Sequence, residues 1–259
     1  MAAAYFLRWP IRIVCQNAGL YLATKESEPE QTRARMIKRE NALIQLRAVS
    51  ERITHAGKAV ADLDQSIHEI FPVAITATEG KVLRDWIIKE QAVNTIEIGL
   101  AYGISSLYIC EGLLMNAHER VRHVAVDPYQ TGFRNCGLQL LKEAGVSALL
   151  EFHAEESQIL LPRFLSEGRR FDFAFVDGSH LFERVFLDLI YLGRLVNPGG
   201  IIFVDDYQLP AIARSVSFCT TNLGWVFEEL STADDLHQWA VLRTPREPVT
   251  RAFRDFLDF

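Results

Sequence analysis

The sequence predicts an α/β fold: a Rossmann-like, doubly wound, mostly parallel sheet of seven strands that closes in a C-terminal antiparallel hairpin and follows an N-terminal helical extension. Three observations predict it. From residue 76 onward, short β-branched or aromatic runs alternate with segments of helical period, giving five β-α units and hence right-handed crossovers. The first run, Thr95-Ile96-Glu97-Ile98, breaks at a turn containing Gly99 and Gly103 and continues into a helical pattern. Acids stand at the carboxyl ends of the strands, as Glu97, Asp127, Asp177, Asp205 and Asp206, where open parallel sheets bind their ligands.

Taken in order, the chain starts with an apolar segment, Met1 to Val14, interrupted by Arg8, Pro10 and Arg12. It is too short to span a bilayer and lacks a signal-peptide core, so it reads as packing on the protein or on a partner. Residues 26–63 lack strand alternation and read as helix, with a stripe of Met36, Leu43, Leu46 and Ile53 beside Arg33, Arg35, Lys38, Arg39 and Arg47. Residues 1–75 thus form an extension that either packs on the core or acts as a lid, substrate or dimer region. A helix then opens at Thr78-Glu79-Gly80, with Thr78 as N-cap, and runs through Trp86. Strand 95–98, helix 104–115 and strand 123–126 follow, the last ending at Asp127. Helix 133–144 stops at Gly145. Strand 149–153 leads to helix 157–167, then strand 171–176 to Asp177 and helix 181–195. Asn197-Pro198-Gly199-Gly200 turns into strand 201–204, ending at Asp205-Asp206. Two late strands, 224–229 and 238–243, suggest the closing hairpin.

Composition bounds the function. A net charge of −6 over 259 residues argues against an extended nucleic-acid surface. No stretch reads as a membrane span. The charge is uneven, +5 within residues 1–60 and −11 beyond, which reads as a solvated basic helix face. Cys15, Cys110, Cys136 and Cys219 are widely spaced without a C-x-x-C pair, so neither a disulfide framework nor a zinc site is expected, and a reducing cytoplasm is the simplest home. Trp9, Trp86, Trp225 and Trp239 read as core packing rather than sugar platforms.

The turn after residues 95–98 spells E-x-G-x-x-x-G, with Ala101 and Ile104 where a dinucleotide fingerprint has its second and third glycines. A pyrophosphate needs backbone amides at the helix start, whereas Glu97 suits a cationic ligand such as the sulfonium cofactor S-adenosylmethionine. Asp127 stands where an acid accepts hydrogen bonds from ribose hydroxyls. Asp177 and Asp205-Asp206 end strands expected to be neighbours about 4.8 Å apart. Three converging carboxylates repel unless a hard dication such as Mg²⁺ holds them; otherwise one of the pair caps a turn and the other is solvated.

With those residues in place, the stretch from about Thr76 to Tyr207 resembles class I S-adenosylmethionine-dependent methyltransferases of the cation-dependent O-methyltransferase type, the group of catechol, caffeoyl-CoA and antibiotic-sugar enzymes. The resemblance makes residues 76–259 the S-adenosylmethionine-binding domain. It implies cofactor contacts at Thr78, Glu79 and Gly80, at Glu97, Gly99, Tyr102, Gly103 and Ser105, at Asp127, and at Glu156, Ser157 and Gln158. It implies metal ligation by Asp177, Asp205 and Asp206, with Asp177 also in catalysis and beside the cofactor. Two departures bear on the acceptor. Asp206 replaces the asparagine of the catechol enzymes, and His180 stands where the phenol-methylating enzymes carry a lysine base. Both turn the expectation toward a sugar or other saccharide hydroxyl, with His180 as general base or as an orienting partner of Asp177. The expected assembly is a homodimer. Competing readings are a metal-independent methyltransferase, one acting on a phenol, an NAD-linked oxidoreductase, and a non-catalytic binding protein.

Overall fold

The structure is a computed structural model that describes residues 28–61, 64–232, 237–247, 249–252 and 254–259. The expectations for Met1 to Val14, for Trp9 and for Cys15 lie outside these residues. The chain divides into two compact units, Met1–Ile37 and Lys38–Phe259, and the sheet and its site lie wholly in the second.

A long helix α1 (Glu28–Ala56) leads into two three-residue antiparallel strands, β1 (Lys58–Val60) and β2 (Ile67–Glu69). The sequence reading carried the helix to residue 63. The helix stops earlier because Gly57 adopts φ +64, a left-handed conformation that ends a helix at low cost. Then come α2 (Ala77–Lys89), β3 (Asn94–Ile98), α3 (Ile104–Met115), β4 (Arg122–Val126), α4 (Cys136–Glu143), β5 (Leu150–His153), α5 (Ser157–Ser166), β6 (Phe171–Val176), α6 (Phe182–Leu195), β7 (Val196–Val204), α7 (Pro210–Leu223), β8 (Val226–Leu230) and β9 (Ala240–Arg243). The N-cap of α2 is Thr76, whose hydroxyl accepts the Glu79 N–H at 3.2 Å, not Thr78. Capping follows the side chain that reaches back to the third helical amide. Helix α4 begins later than expected, after Arg134 and Asn135 at positive φ.

The seven-stranded sheet has the order β5-β4-β3-β6-β7-β9-β8, parallel through β7. Strand β9 runs antiparallel to both β7 and β8, which is the closing hairpin the sequence predicts. Side chains alternate across the sheet with period two. Phe173, Phe175, Ile201, Phe203 and Val241 face the layer of α1 to α4, while Ala174, Val176, Ile202, Val204 and Leu242 face α5 to α7. Both faces are therefore apolar, as a parallel sheet covered by helices requires. Fully burying each phenylalanine of the first face contributes roughly 1.5–3 kcal/mol. The second half of α1 joins that layer through Leu46, Val49 and Ile53, all buried. Trp86, Trp225 and Trp239 are buried too, in line with core packing. Cys110, Cys136 and Cys219 are free and buried. No helix among the described residues is long and apolar enough to cross a membrane.

Register sets the site. Ile98 pairs with Val126 on one side and Val176 on the other, and Val176 pairs with Val204. The residues that follow, Gly99, Asp127, Asp177 and Asp205, therefore form one row along the carboxyl edge. The row continues the ladder, with Asp177 N–H donating to Ile98 at 2.9 Å and Asp205 N–H to Val176 at 3.0 Å.

Candidate active site

A cavity of about 550 Å³ opens over that row. Its floor and one end are Gly99, Ala101 and Asp127. Glu156, Ser157 and Gln158 line it from the start of α5, and Asp177, His180, Asp206 and His237 close the polar end. Pro72, Val73, Tyr129, Phe133 and Leu181 supply apolar wall, with Arg184 beside them.

The glycine turn after β3 is close-packed by necessity. Gly99 has φ +96, and a Cβ there would sit 1.9 Å from the Asp177 carbonyl oxygen. Only glycine fits, because the turn crosses directly over the end of β6. Gly103, at φ +79, starts α3, and a Cβ on it would meet the Gly137 backbone at 3.1 Å. Asp127 organises the loop. One oxygen accepts the N–H groups of Leu100 and Ala101 at 3.2 and 2.9 Å and the Gln130 amide at 2.8 Å; the other accepts the Tyr129 N–H at 2.7 Å.

Several predicted contacts lie behind the cavity wall. Glu97 is fully buried on the face toward α3, where it accepts hydrogen bonds from the Ser105 hydroxyl at 3.0 Å and from Ser106. Buried His123 completes this group, 2.9 Å from Thr95 Oγ1 and 3.0 Å from Ser106 Oγ. Glu97 shares its face with Thr95, and strand alternation turns it from the ligand side. Tyr102 packs edge-on against Phe133. Thr78 is exposed on α2. Gly80 is a packing residue, since a Cβ would come 2.2 Å from the Tyr108 ring. None of Thr78, Glu79, Gly80, Glu97, Tyr102, Gly103 and Ser105 lines the cavity. His153 pairs with Glu151 at 2.8 Å and packs on Phe164.

The acids at the polar end do converge. His180 Nε2 lies 3.0 Å from Asp206 Oδ2 and 3.8 Å from Asp177 Oδ1. Asp206 is held at φ +54, a strained position for a non-glycine residue, and the Gln208 amide donates to its Oδ1 at 2.7 Å. Asp205 Oδ1 accepts the Asp206 N–H at 2.6 Å. Burial pushes the Asp177 carboxyl well above its ordinary range against the His180 hydrogen bond, and Asp205 up to about 6 with help from the Asp206 charge. Burial also raises Asp206, but hydrogen bonds from His180 and Gln208 outweigh it and leave the carboxyl lowered. Those carboxylates raise His180 to about 10. With no cation in the cluster this arrangement favours the protonated imidazole, whereas the general-base role expected from the sequence needs it free.

Two further groups enter the cluster unforeseen. Glu79, 1% exposed, faces Asp205. Burial and the surrounding carboxylates push it up to about 11, and neither of its oxygens meets a hydrogen bond of good geometry. His237, just before β9, brings Nδ1 to 3.4 Å from Asp206 Oδ1 and 4.0 Å from Asp205 Oδ2. Candidate ligand atoms of Asp177, His180 and Asp206, and of Asp205, Asp206 and His237, lie within 4.8 Å of one another. Three carboxyls and a buried imidazole nitrogen that makes no hydrogen bond fit a bound dication. Periodicity reveals the strand-end acids. It cannot reveal His237, which arrives through the hairpin.

The sheet order, the glycine turn after β3 and the row of strand-end acids give the Rossmann-like fold of the class I, S-adenosylmethionine-dependent methyltransferases. Residues 96–207, from within β3 to just past β7, match the model of a methyltransferase domain. The chain is 25% identical over 201 residues to a caffeoyl-CoA O-methyltransferase of Stellaria longipes, covering 73% of this chain and 79% of that one. In fold it is similar to an O-methyltransferase from Bacillus cereus solved with S-adenosylhomocysteine, at TM-score 0.61, 16% identity and 77% and 90% of the two chains. It is likewise similar to TomG of Streptomyces achromogenes, an O-methyltransferase involved in tomaymycin synthesis and solved with S-adenosylmethionine, at TM-score 0.59, 20% identity and 86% and 92% coverage. These findings bear out the resemblance drawn from the sequence and the fold expected with it.

Proposed function

We propose that the protein transfers the methyl group of S-adenosylmethionine to a hydroxyl of a small molecule, with a divalent cation such as Mg²⁺ held by Asp177, Asp205 and Asp206. The observation that carries this reading is the meeting of Asp177 and Asp206 at the end of the cavity that Gly99 and Asp127 floor, with Asp205 grouped behind Asp206. The O-methyltransferase relatives support it. A saccharide hydroxyl is the favoured acceptor, because Asp206 and His180 replace the asparagine and lysine of the phenol-methylating enzymes.

The roles follow from position. Glu156, Ser157 and Gln158 bound the end suited to the adenosine, and Gly99 and Asp177 line the stretch of cavity suited to the sulfonium. A bound cation supplies Lewis acidity that lowers the pKa of a hydroxyl and a template that aligns it for in-line attack. His180 Nε2, at the mouth of the acid cluster, accepts the hydroxyl proton once the charge it now balances is balanced otherwise. Tyr129, Phe133 and Leu181 give the acceptor an apolar wall to lie against. A metal-independent reading is favoured by one observation, the His180 bridge, since an imidazolium already offsets Asp177 and Asp206.

The test is methyl transfer from labelled S-adenosylmethionine to a panel of sugars and phenols, with S-adenosylhomocysteine release as the common readout. Chelation should abolish turnover and Mg²⁺ restore it, while calorimetric binding of S-adenosylhomocysteine persists. Turnover that ignores chelation removes the cation from the reaction, and exclusive methylation of phenols removes the saccharide assignment.

A further inference from the structure

His237 is held in place by the hairpin. Strand β9 pairs Ala240 with Val204, which lays the residues before it alongside the Asp205-Asp206 turn. The Tyr207 N–H donates to the Gln238 carbonyl at 2.6 Å, and the Gln238 N–H donates to Gln208 Oε1 at 2.9 Å. This clamp aims the His237 ring at the carboxylates. Its Nδ1 is buried, 3.4 Å from Asp206 Oδ1, and makes no hydrogen bond. Buried imidazole nitrogens are ordinarily satisfied, so an orphan facing two acids calls for an occupant. Glu79, 1% exposed, faces the same cluster beside Asp205. The occupant that satisfies carboxylate oxygens and a nitrogen lone pair together is a cation.

We infer that His237 ligates the cation through Nδ1 beside Asp205 and Asp206, making the centre a mixed carboxylate–imidazole site that favours a first-row transition dication such as Co²⁺ or Mn²⁺ over Mg²⁺. This rests on the cation-dependent reading above and deepens it. Imidazole nitrogen adds affinity along the first-row transition series but little for Mg²⁺, which prefers an all-oxygen shell. The all-acid set expected from the sequence gave Mg²⁺ no competitor. His237 supplies one.

The probe is Mn²⁺ added to the full chain in the presence of S-adenosylhomocysteine, followed by electron spin-echo spectroscopy for directly bound ¹⁴N. The expected result is nitrogen coupling in the wild type that survives in His180→Gln and vanishes in His237→Gln. Mn²⁺ affinity should fall at least about tenfold in His237→Gln, with Mg²⁺ affinity much less affected. His237→Asn serves where the glutamine variant fails to retain S-adenosylhomocysteine binding, and the wild-type spectrum needs no variant. Mn²⁺ bound without nitrogen coupling, or coupling that persists without His237, overturns the ligand assignment and leaves the cation reading standing. Failure to bind Mn²⁺ or Mg²⁺ while S-adenosylhomocysteine still binds overturns both.

Discussion

Replacing Asp188 by asparagine isolates the cost of a carboxyl sealed into the wall behind the cavity. Asp188 lies on α6, 1% exposed, and its Oδ1 has no hydrogen-bond partner. Burial raises its carboxyl from 3.8 to about 7, against the opposing pull of the Ser157 hydroxyl and the Arg184 charge. The unfolded acid releases its proton near pH ~3.9. Between there and about pH 7 the folded chain binds a proton that the unfolded chain does not. Stability therefore falls as pH rises through that window and stays low above it. A difference of roughly 3 pH units at 1.36 kcal/mol each sets an upper bound of about 4 kcal/mol, and local relaxation brings it to about 2–4 kcal/mol. Asparagine keeps the shape and removes the titration. Urea unfolding of wild type and Asp188→Asn at pH 5 and pH 8 measures it. Only the roughly 2 pH units from 5 to 7 lie inside the window, so the variant should gain about 1–2.5 kcal/mol relative to wild type between the two pH values. An unchanged difference would refute the buried-charge argument, whatever the absolute stabilities.

His180→Ala should lower turnover by about 10²–10⁴ with S-adenosylhomocysteine affinity unchanged, since a missing acid–base group slows chemistry rather than binding. Single-turnover kinetics check it, and near-normal rates would exclude a proton-transfer role. Gly80→Ala places a methyl against the Tyr108 ring, buried between α2 and α3, and should cost about 1–3 kcal/mol of overpacking in thermal or urea unfolding. Loss of cofactor binding without loss of stability would instead make Gly80 a ligand contact.

The sheet was legible because most of its parallel strands are short apolar runs, and Asp127, Asp177 and Asp205 directly follow the register-aligned ends Val126, Val176 and Val204. What escaped reading was set by contacts distant in sequence. Strands β1 and β2 have three residues each and are half-exposed, too short for an alternation to show. Helix α7 follows Pro210, which reads as a loop, although Ile212, Val216 and Cys219 bury a helical stripe that could have revealed it. Residues 197–200 belong to a longer β7 rather than a turn. In the site, strand alternation settles Glu97 against the helix layer, and only the folded backbone brings Glu79 from α2 and His237 from the hairpin to the Asp205-Asp206 turn. His180 was visible as a residue type. Its charge state was not, because that depends on the two acids it bridges.

The crossing of Gly99 over the Asp177 carbonyl fuses two halves of the cavity that could have been mechanically separate. Any ligand that shifts the glycine turn must drag the first carboxylate of the acidic cluster with it. On the proposed function, a disturbance at the donor end would carry through this contact to the acceptor end. A substitution there would harm both at once.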